Sequence, residues 1–393
     1  MNIIVQKFGG TSVSTEDRRK QVAVKVKEAI DNGFTPIVVV SAMGRKGQPY
    51  ATDTLLTLID DKFKESNRNS KDLLMCCGEI ISSVVVANAL YNEGIQAVPL
   101  TGGQAGIITD DNFCEAEYIS IDIDRLLSVV REGKVPVVTG FQGITKDGYF
   151  TTACILGNAV NAKEIEIYTD VDGIMTADPR IVEDASLIDE ITYNEVFQLA
   201  DQGAKVIHPK AIDLAKKGNI PLFIKNTMGE SKGTLVSNNT IGNERRYITG
   251  ITYLNNRIQV RIRLSENSNI KVYQNLLEIL AKNHISLDLI NIFPAHQFFT
   301  VDKSEKENVC SILELVGIKY SIIEECSTIA IVGAGMTGVP GIMARIINVL
   351  QNNNIEVLQT TDSNMTIWCL IYTKDIEIAI NLLHEEFGLS KVH

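Results

Sequence analysis

Ile3-Ile4-Val5-Gln6-Lys7-Phe8-Gly9-Gly10-Thr11-Ser12-Val13 is an apolar run that ends in a lysine, a glycine pair and two hydroxyls. Behind it charged residues gather at Glu16, Asp17, Arg18, Arg19 and Lys20, with apolar ones at Val22, Val24, Val26, Ala29 and Ile30. The pattern predicts strand, tight turn and helix. Glycines at such a turn let backbone N–H groups face outward at a helix N-terminus, where the macrodipole favours an anion, and Lys7 adds a point charge beside it. A phosphate suits this geometry. The Walker string is excluded, because Lys7 precedes the glycines and the Gly-x4-Gly-Lys spacing is absent.

Working outward, Pro36-Ile37-Val38-Val39-Val40-Ser41 reads as a buried strand opening into Ala42-Met43-Gly44, and Pro136-Val137-Val138-Thr139-Gly140-Phe141-Gln142-Gly143 repeats the design. Glu164-Ile165-Glu166-Ile167-Tyr168-Thr169-Asp170 is a third. Strands continuous in Val and Ile and joined by helices predict an α/β fold: an open, mostly parallel sheet with helices on both faces and ligands at the strands' carboxyl ends. Any single Ser, Thr, Gly or Asp at such an end is ordinary turn chemistry. Recurrence on three strands reads as a site.

With 393 residues and 45% hydrophobic content the chain is long enough for two or three domains. A net charge of −11 and a pI near 5.1 argue against a nucleic-acid partner. No signal peptide and no apolar run of membrane-spanning length is read, so no membrane is expected. Seven cysteines, odd in number and without zinc spacing, read as reduced core residues of a cytoplasmic protein.

After the strand Pro221-Leu222-Phe223-Ile224 the composition turns polar, Ser237 to Thr240 and then Gly242 to Arg246, which places a boundary near 240. The expected domains are 1–240 and 241–393. Within the second, a shift of about seventy positions lays Leu276-Leu277-Glu278-Ile279-Leu280 on Ile346-Ile347-Asn348-Val349-Leu350, and His284-Ile285-Ser286-Leu287 on Asn354-Ile355-Glu356-Val357. Two α+β units of ferredoxin-like type follow, about 248–325 and 326–393, which can interleave.

Lys7-Phe8-Gly9-Gly10-Thr11-Ser12-Val13 resembles the opening signature of the aspartokinases, within the amino-acid-kinase family. Four further segments match in order: Ala51-Thr52-Asp53-Thr54-Leu55-Leu56, Cys77-Gly78-Glu79-Ile80-Ile81-Ser82, Tyr168 to Arg180, and Gly203 to Ala211. The C-terminal pair resembles tandem ACT domains. The resemblance implies transfer of the γ-phosphoryl of ATP to the β-carboxylate of L-aspartate, giving 4-phospho-L-aspartate, the entry to Lys, Met and Thr synthesis through the diaminopimelate route. Lys7 is then the catalytic charge. Lys7, Phe8, Gly9, Gly10, Ser41, Thr169, Asp170, Thr176, Asp178, Arg180 and Lys205 hold ATP, with Mg2+ bridging phosphates and no metal cage made by protein alone. Thr52 and Glu79, the latter expected at a helix start, hold aspartate, and His208 reads as structural. The glycine-rich turn at Met336, Thr337, Gly338 and Val339, its amides taking a carboxylate, and the hairpin at Thr361, Asp362 and Ser363 take an amino-acid effector, lysine or diaminopimelate ahead of threonine. Edge strands of the ACT units imply a homodimer.

One departure stands out. Aspartokinases carry a Gly-Arg-Gly-Gly loop followed by Ser-Asp-Thr-Ser, whereas here Thr151-Thr152 runs directly into Ala153-Cys154-Ile155-Leu156-Gly157. Losing that loop removes an arginine, an aspartate and several amides from a reaction that depends on positioning and charge stabilisation. Three readings stay open: a catalytically silent amino-acid sensor, a loop present in the protein but not in this sequence, or other groups in its place.

Overall fold

Along Ile3–Phe8 successive side chains point to opposite faces, and each face has its own core. Ile3 and Val5 pack with Ile37, Val39, Leu126 and Val129; Phe8 packs with Val22, Val26, Val38, Val86 and Leu90. A strand apolar on both sides needs helices on both sides, and the fold supplies them. The computed structural model describes residues 1–152, 162–203, 209–238, 247–263, 270–336 and 338–390. It divides into unit 1, Met1–Ile174 with Leu187–Tyr193 and Val206–Ile241, and unit 2, Met175–Ser186 with Asn194–Lys205 and Gly242–His393.

The described strands of unit 1 are β1 (Ile3–Phe8), β2 (Thr35–Val40), β3 (Ala97–Leu100), β4 (Ile107–Thr109), β5 (Tyr118–Ile121), β6 (Val135–Thr139), β7 (Gln142–Ile144), β8 (Phe150–Thr152), β9 (Glu164–Thr169), β10 (Glu190–Thr192), β11 (Leu222–Asn226) and β12 (Thr234–Ser237). Eight of them form a sheet in the order β10-β12-β11-β9-β1-β2-β6-β3, parallel except where β11 meets β12. A second sheet runs β5-β4-β7-β8. The helices are α1 (Glu16–Asp31), α2 (Thr52–Leu55), α3 (Asp61–Ser66), α4 (Arg68–Asn92), α5 (Asp124–Arg131), α6 (Tyr193–Asp201), whose residues from Asn194 belong to unit 2, and α7 (Pro209–Gly218). Thr15 caps α1 by accepting from the Arg18 amide.

Two expectations change here. Glu79 lies well inside α4 and not at a helix start, because the helix runs unbroken from Arg68. And α4 is, by length and composition, apolar enough to cross a membrane. It is a core helix: Val86, Ala87 and Leu90 face the sheet, while Asp72, Glu79, Ser82 and Ser83 are buried with them.

Unit 2 contains β13 (Gly250–Arg263), α8 (Ile270–Lys282), β14 (Asp288–Ile292), β15 (His296–Asp302), α9 (Lys306–Val316), β16 (Tyr320–Val332), α10 (Ile342–Asn352), β17 (Val357–Asp362), β18 (Thr366–Tyr372) and α11 (Ile376–Glu386). The strands form one antiparallel sheet, β14-β15-β13-β16-β18-β17. Each long strand serves both repeats: Arg257–Arg263 of β13 pair with β15, whereas Gly250–Leu254 pair with the part of β16 that also holds β18. The exchange falls at irregular backbone, with Asn256 at φ +59° and Glu325 at φ +54°.

Just ahead of the expected effector turn at Met336 to Val339, two backbone amides are used within the fold. The Ala334 amide donates to the buried Glu195 carboxylate at 3.1 Å, and the Gly333 amide to the Met365 carbonyl at 2.9 Å. The six described cysteines are unpaired, but only Cys76, Cys326 and Cys369 are buried; Cys77, Cys114 and Cys310 are partly exposed.

Candidate active site

The carboxyl ends of β1, β2, β6 and β9 meet, as parallel neighbours must, and short backbone bonds stitch them together. The Gly9 amide donates to the Tyr168 carbonyl (3.1 Å), Ser41 to Phe8 (3.2 Å) and Gly140 to Val40 (2.8 Å). Gly10 is required by packing: a Cβ there would lie 2.4 Å from the Ala42 carbonyl oxygen. The turn Gly10–Val13 is a single 3-10 turn, and α1 begins only at Glu16, so the chain rounds the corner in two steps where the sequence predicts one. Ser12 is buried, donating to the Tyr168 carbonyl and accepting from the Thr227 hydroxyl. Phe8 stacks on Tyr168 with centroids 4.7 Å apart. These contacts fix the corner from below and leave Lys7, half-buried, with its ammonium 5.9 Å from the Phe141 ring.

In unit 1 the ends of three strands, β1, β2 and β9, carry Phe8, Gly9, Gly10, Ser41, Thr169 and Asp170, and α2 and α4 carry Thr52 and Glu79. Asp170 pairs with Arg45, an exposed side chain on the loop after β2 that the sequence reading passed over. Glu79 is buried, and its Oε1 accepts from the Ala42 amide at 3.4 Å. Burial pushes this carboxyl up to about 7, with hydrogen bonds from Ala42 and the Gln142 amide pulling the other way. Gln142 is equally buried, and its Nε2 donates to the Cys76 carbonyl at 2.8 Å. Gly78 permits this closeness: a Cβ there would sit 2.8 Å from the Ala42 Cβ and 3.1 Å from the Tyr50 carbonyl oxygen. The sequence reading also missed Gln142 and Gly78; a polar residue inside an otherwise apolar strand end was the available signal for the first.

Thr176, Asp178 and Arg180 belong to unit 2. Thr176 is buried, its hydroxyl shared with His384 (2.9 Å) and the Ser186 amide (2.9 Å), so it is spent on that unit's own fold. Arg180 forks onto Asp178, which also accepts from the Tyr253 hydroxyl. The Arg180 guanidinium holds the Asp178 carboxyl below its usual range. In the effector region Met336 is buried, Gly338 has φ +77°, Val339 packs on the core beneath α10, and the Ser363 hydroxyl closes the hairpin by accepting from the Met365 and Thr366 amides. Thr361, with Arg257, Asp288, Asp302 and Trp368, lines a cavity of about 540 Å³, and Asp362 ends β17. Lys205, His208, Thr337 and the stretch 153–161, where the glycine-rich loop is missing, lie outside the described residues.

The family model described as the amino acid kinase family matches residues 2–226, and the ACT domain model matches 321–385. Aspartokinase 1 of Bacillus subtilis is 42% identical, with 100% of both chains covered, over 405 aligned positions against 393 residues here. Aspartokinase of Geobacillus stearothermophilus is 34% identical over 100% of this chain and 98% of its own. Escherichia coli aspartokinase III, solved with aspartate and ADP, superposes with a TM-score of 0.78 at 25% identity, covering 98% of this chain and 99% of its own. Clostridium acetobutylicum aspartate kinase shares the fold, with a TM-score of 0.80, 24% identity and coverage of 98% and 100%.

Proposed function

We infer the roles of individual residues from the fact that this chain belongs to the amino acid kinase family, within its aspartokinase branch. It is an ATP-dependent aspartate kinase, transferring the γ-phosphoryl of ATP to the β-carboxylate of L-aspartate to give 4-phospho-L-aspartate. Its ACT region makes it a kinase that answers to an amino-acid effector.

The observation that carries the residue-level reading is the Ala42 amide on the Glu79 carboxylate. It ties a buried acid suited to an α-ammonium to the strand-end loop that begins at Ser41, beside Lys7. In this reading Glu79 and Thr52 hold aspartate so that its β-carboxylate faces the terminal phosphate. One carboxylate oxygen forms the new bond to phosphorus while the bond to the bridging oxygen breaks and ADP leaves. The Lys7 ammonium neutralises charge gathering on the transferring oxygens, and Gly9 and Gly10 let the backbone approach them. Thr169 and Asp170 take the nucleoside side, with Arg45 moving from Asp170 toward phosphate; Asp178, Arg180 and Lys205 are assigned to the nucleotide by the family motif. Among the described residues no three acidic, thiol or imidazole groups converge. Mg2+ is assigned to the nucleotide's phosphates by the family resemblance, where it would offset their charge.

For regulation, lysine or diaminopimelate is the proposed effector, because E. coli aspartokinase III has been solved with lysine. A homodimer through the ACT edge strands and a cytoplasmic location complete the reading. The experiment is hydroxamate formation from aspartate and Mg·ATP by the full chain, with lysine, diaminopimelate and threonine compared as modulators. Threonine acting alone would overturn the effector assignment.

A further inference from the structure

Five buried side-chain polar atoms lack a hydrogen-bond partner among the described residues, and three of them sit on the elements around Glu79: Ser82 Oγ on α4, Thr139 Oγ1 at the end of β6, and Gln142 Oε1 on β7. Ser82 follows Glu79 by three residues on the same helix face. A buried polar atom without a partner forfeits its hydrogen bonds to water, so such atoms call for an explanation. Gln142 is 2% exposed and cannot turn to solvent. Its Nε2 donates to the Cys76 carbonyl, three residues before Glu79 on α4. The backbone that carries it is equally fixed: a Cβ on Gly102 would lie 2.1 Å from the Gln142 carbonyl oxygen, so the neighbouring loop rests directly on it.

An ammonium group has three donors and no acceptor. Glu79 satisfies one of them. We propose that Gln142 is a second acceptor for the α-ammonium of the amino-acid substrate: the Cys76 carbonyl holds its Nε2, and its Oε1 receives an N–H from the ligand. The inference rests on the reading that Glu79 binds the substrate's amino group. It makes the site selective, because a dicarboxylate without an amine leaves both the Glu79 charge and the Gln142 oxygen buried and unpaired.

The test is calorimetry on the full chain with Mg2+ and ADP present, titrating L-aspartate and, separately, succinate. Wild-type protein is expected to bind aspartate more tightly than succinate. Gln142→Met, similar in size but without the acceptor, is expected to weaken aspartate by about tenfold or more while succinate and ADP stay within about twofold. Equal weakening of aspartate and succinate, or unchanged aspartate affinity, would overturn the proposal and leave Gln142 a structural residue. If Gln142→Met does not fold, Gln142→Asn, which retracts the amide by one methylene, is read the same way; preserved selectivity there overturns it too. Wild-type protein that binds ADP but not aspartate would instead sink the underlying reading of Glu79.

Discussion

The Ala42 amide reaches the Glu79 carboxylate over 3.4 Å, and the chain can come that close only because residue 78 has no side chain. Gly78→Ala pushes a methyl into Ala42, Tyr50 and Leu55 at 2.8 to 3.2 Å. It should cost about 1–3 kcal/mol in urea unfolding. Aspartate affinity should fall further than global stability explains, as calorimetry on the folded variant would read.

Glu79 gives a pH dependence with a definite sign. Its folded carboxyl, raised by burial to about 7, holds a proton that the unfolded chain releases near its ordinary value of 4.5. Between those values the folded state binds more protons, so stability falls as pH rises toward 7 and is level above it. Binding runs the opposite way. Aspartate affinity should rise about tenfold per unit up to pH 7 and then flatten, because the ammonium needs the carboxylate. Glu79→Gln should bind weakly at every pH and lose both slopes.

Much of this was legible in the residues, for reasons that differ from place to place. The Val and Ile runs that become β1, β2, β6 and β9 admit little but buried parallel strands, and the residues at their ends could be read directly. The seventy-residue repeat showed two α+β halves. Glu79 was misplaced at a helix start because Gly78 looks like a terminator, when its smallness serves contact with Ala42 inside a longer helix. Periodicity cannot report a hydrogen bond between β7 and α4, so Gln142 stayed hidden in its strand. Glu195 reaching the Ala334 amide is invisible for the same reason, since 139 positions separate the two.

Unit 2 exchanges strands at Asn256, in left-handed backbone at φ +59°. Asn256→Gly should be neutral within about 0.5 kcal/mol, while Asn256→Val should cost about 1–3 kcal/mol. Thermal unfolding of both variants checks this. If valine is tolerated as well as glycine, the switch point is not a constrained position.

The glycine-rich loop supplies a separate prediction. Inserting Gly-Arg-Gly-Gly-Ser-Asp-Thr-Ser after Thr152 should raise kcat by about a hundredfold or more over the chain as written, through the added arginine and amides. An insertion without effect would mean that groups already in the chain, Arg45 first among them, do that work.

Lys7 carries the central claim, and steady-state hydroxamate formation from aspartate and Mg·ATP, comparing the wild-type chain with Lys7→Ala, tests it most directly. The wild-type chain should form aspartyl hydroxamate, and Lys7→Ala should lose about 10²–10³-fold in kcat while keeping its unfolding midpoint. No ATP-dependent product from the wild-type chain, or equal turnover in Lys7→Ala, would contradict the account.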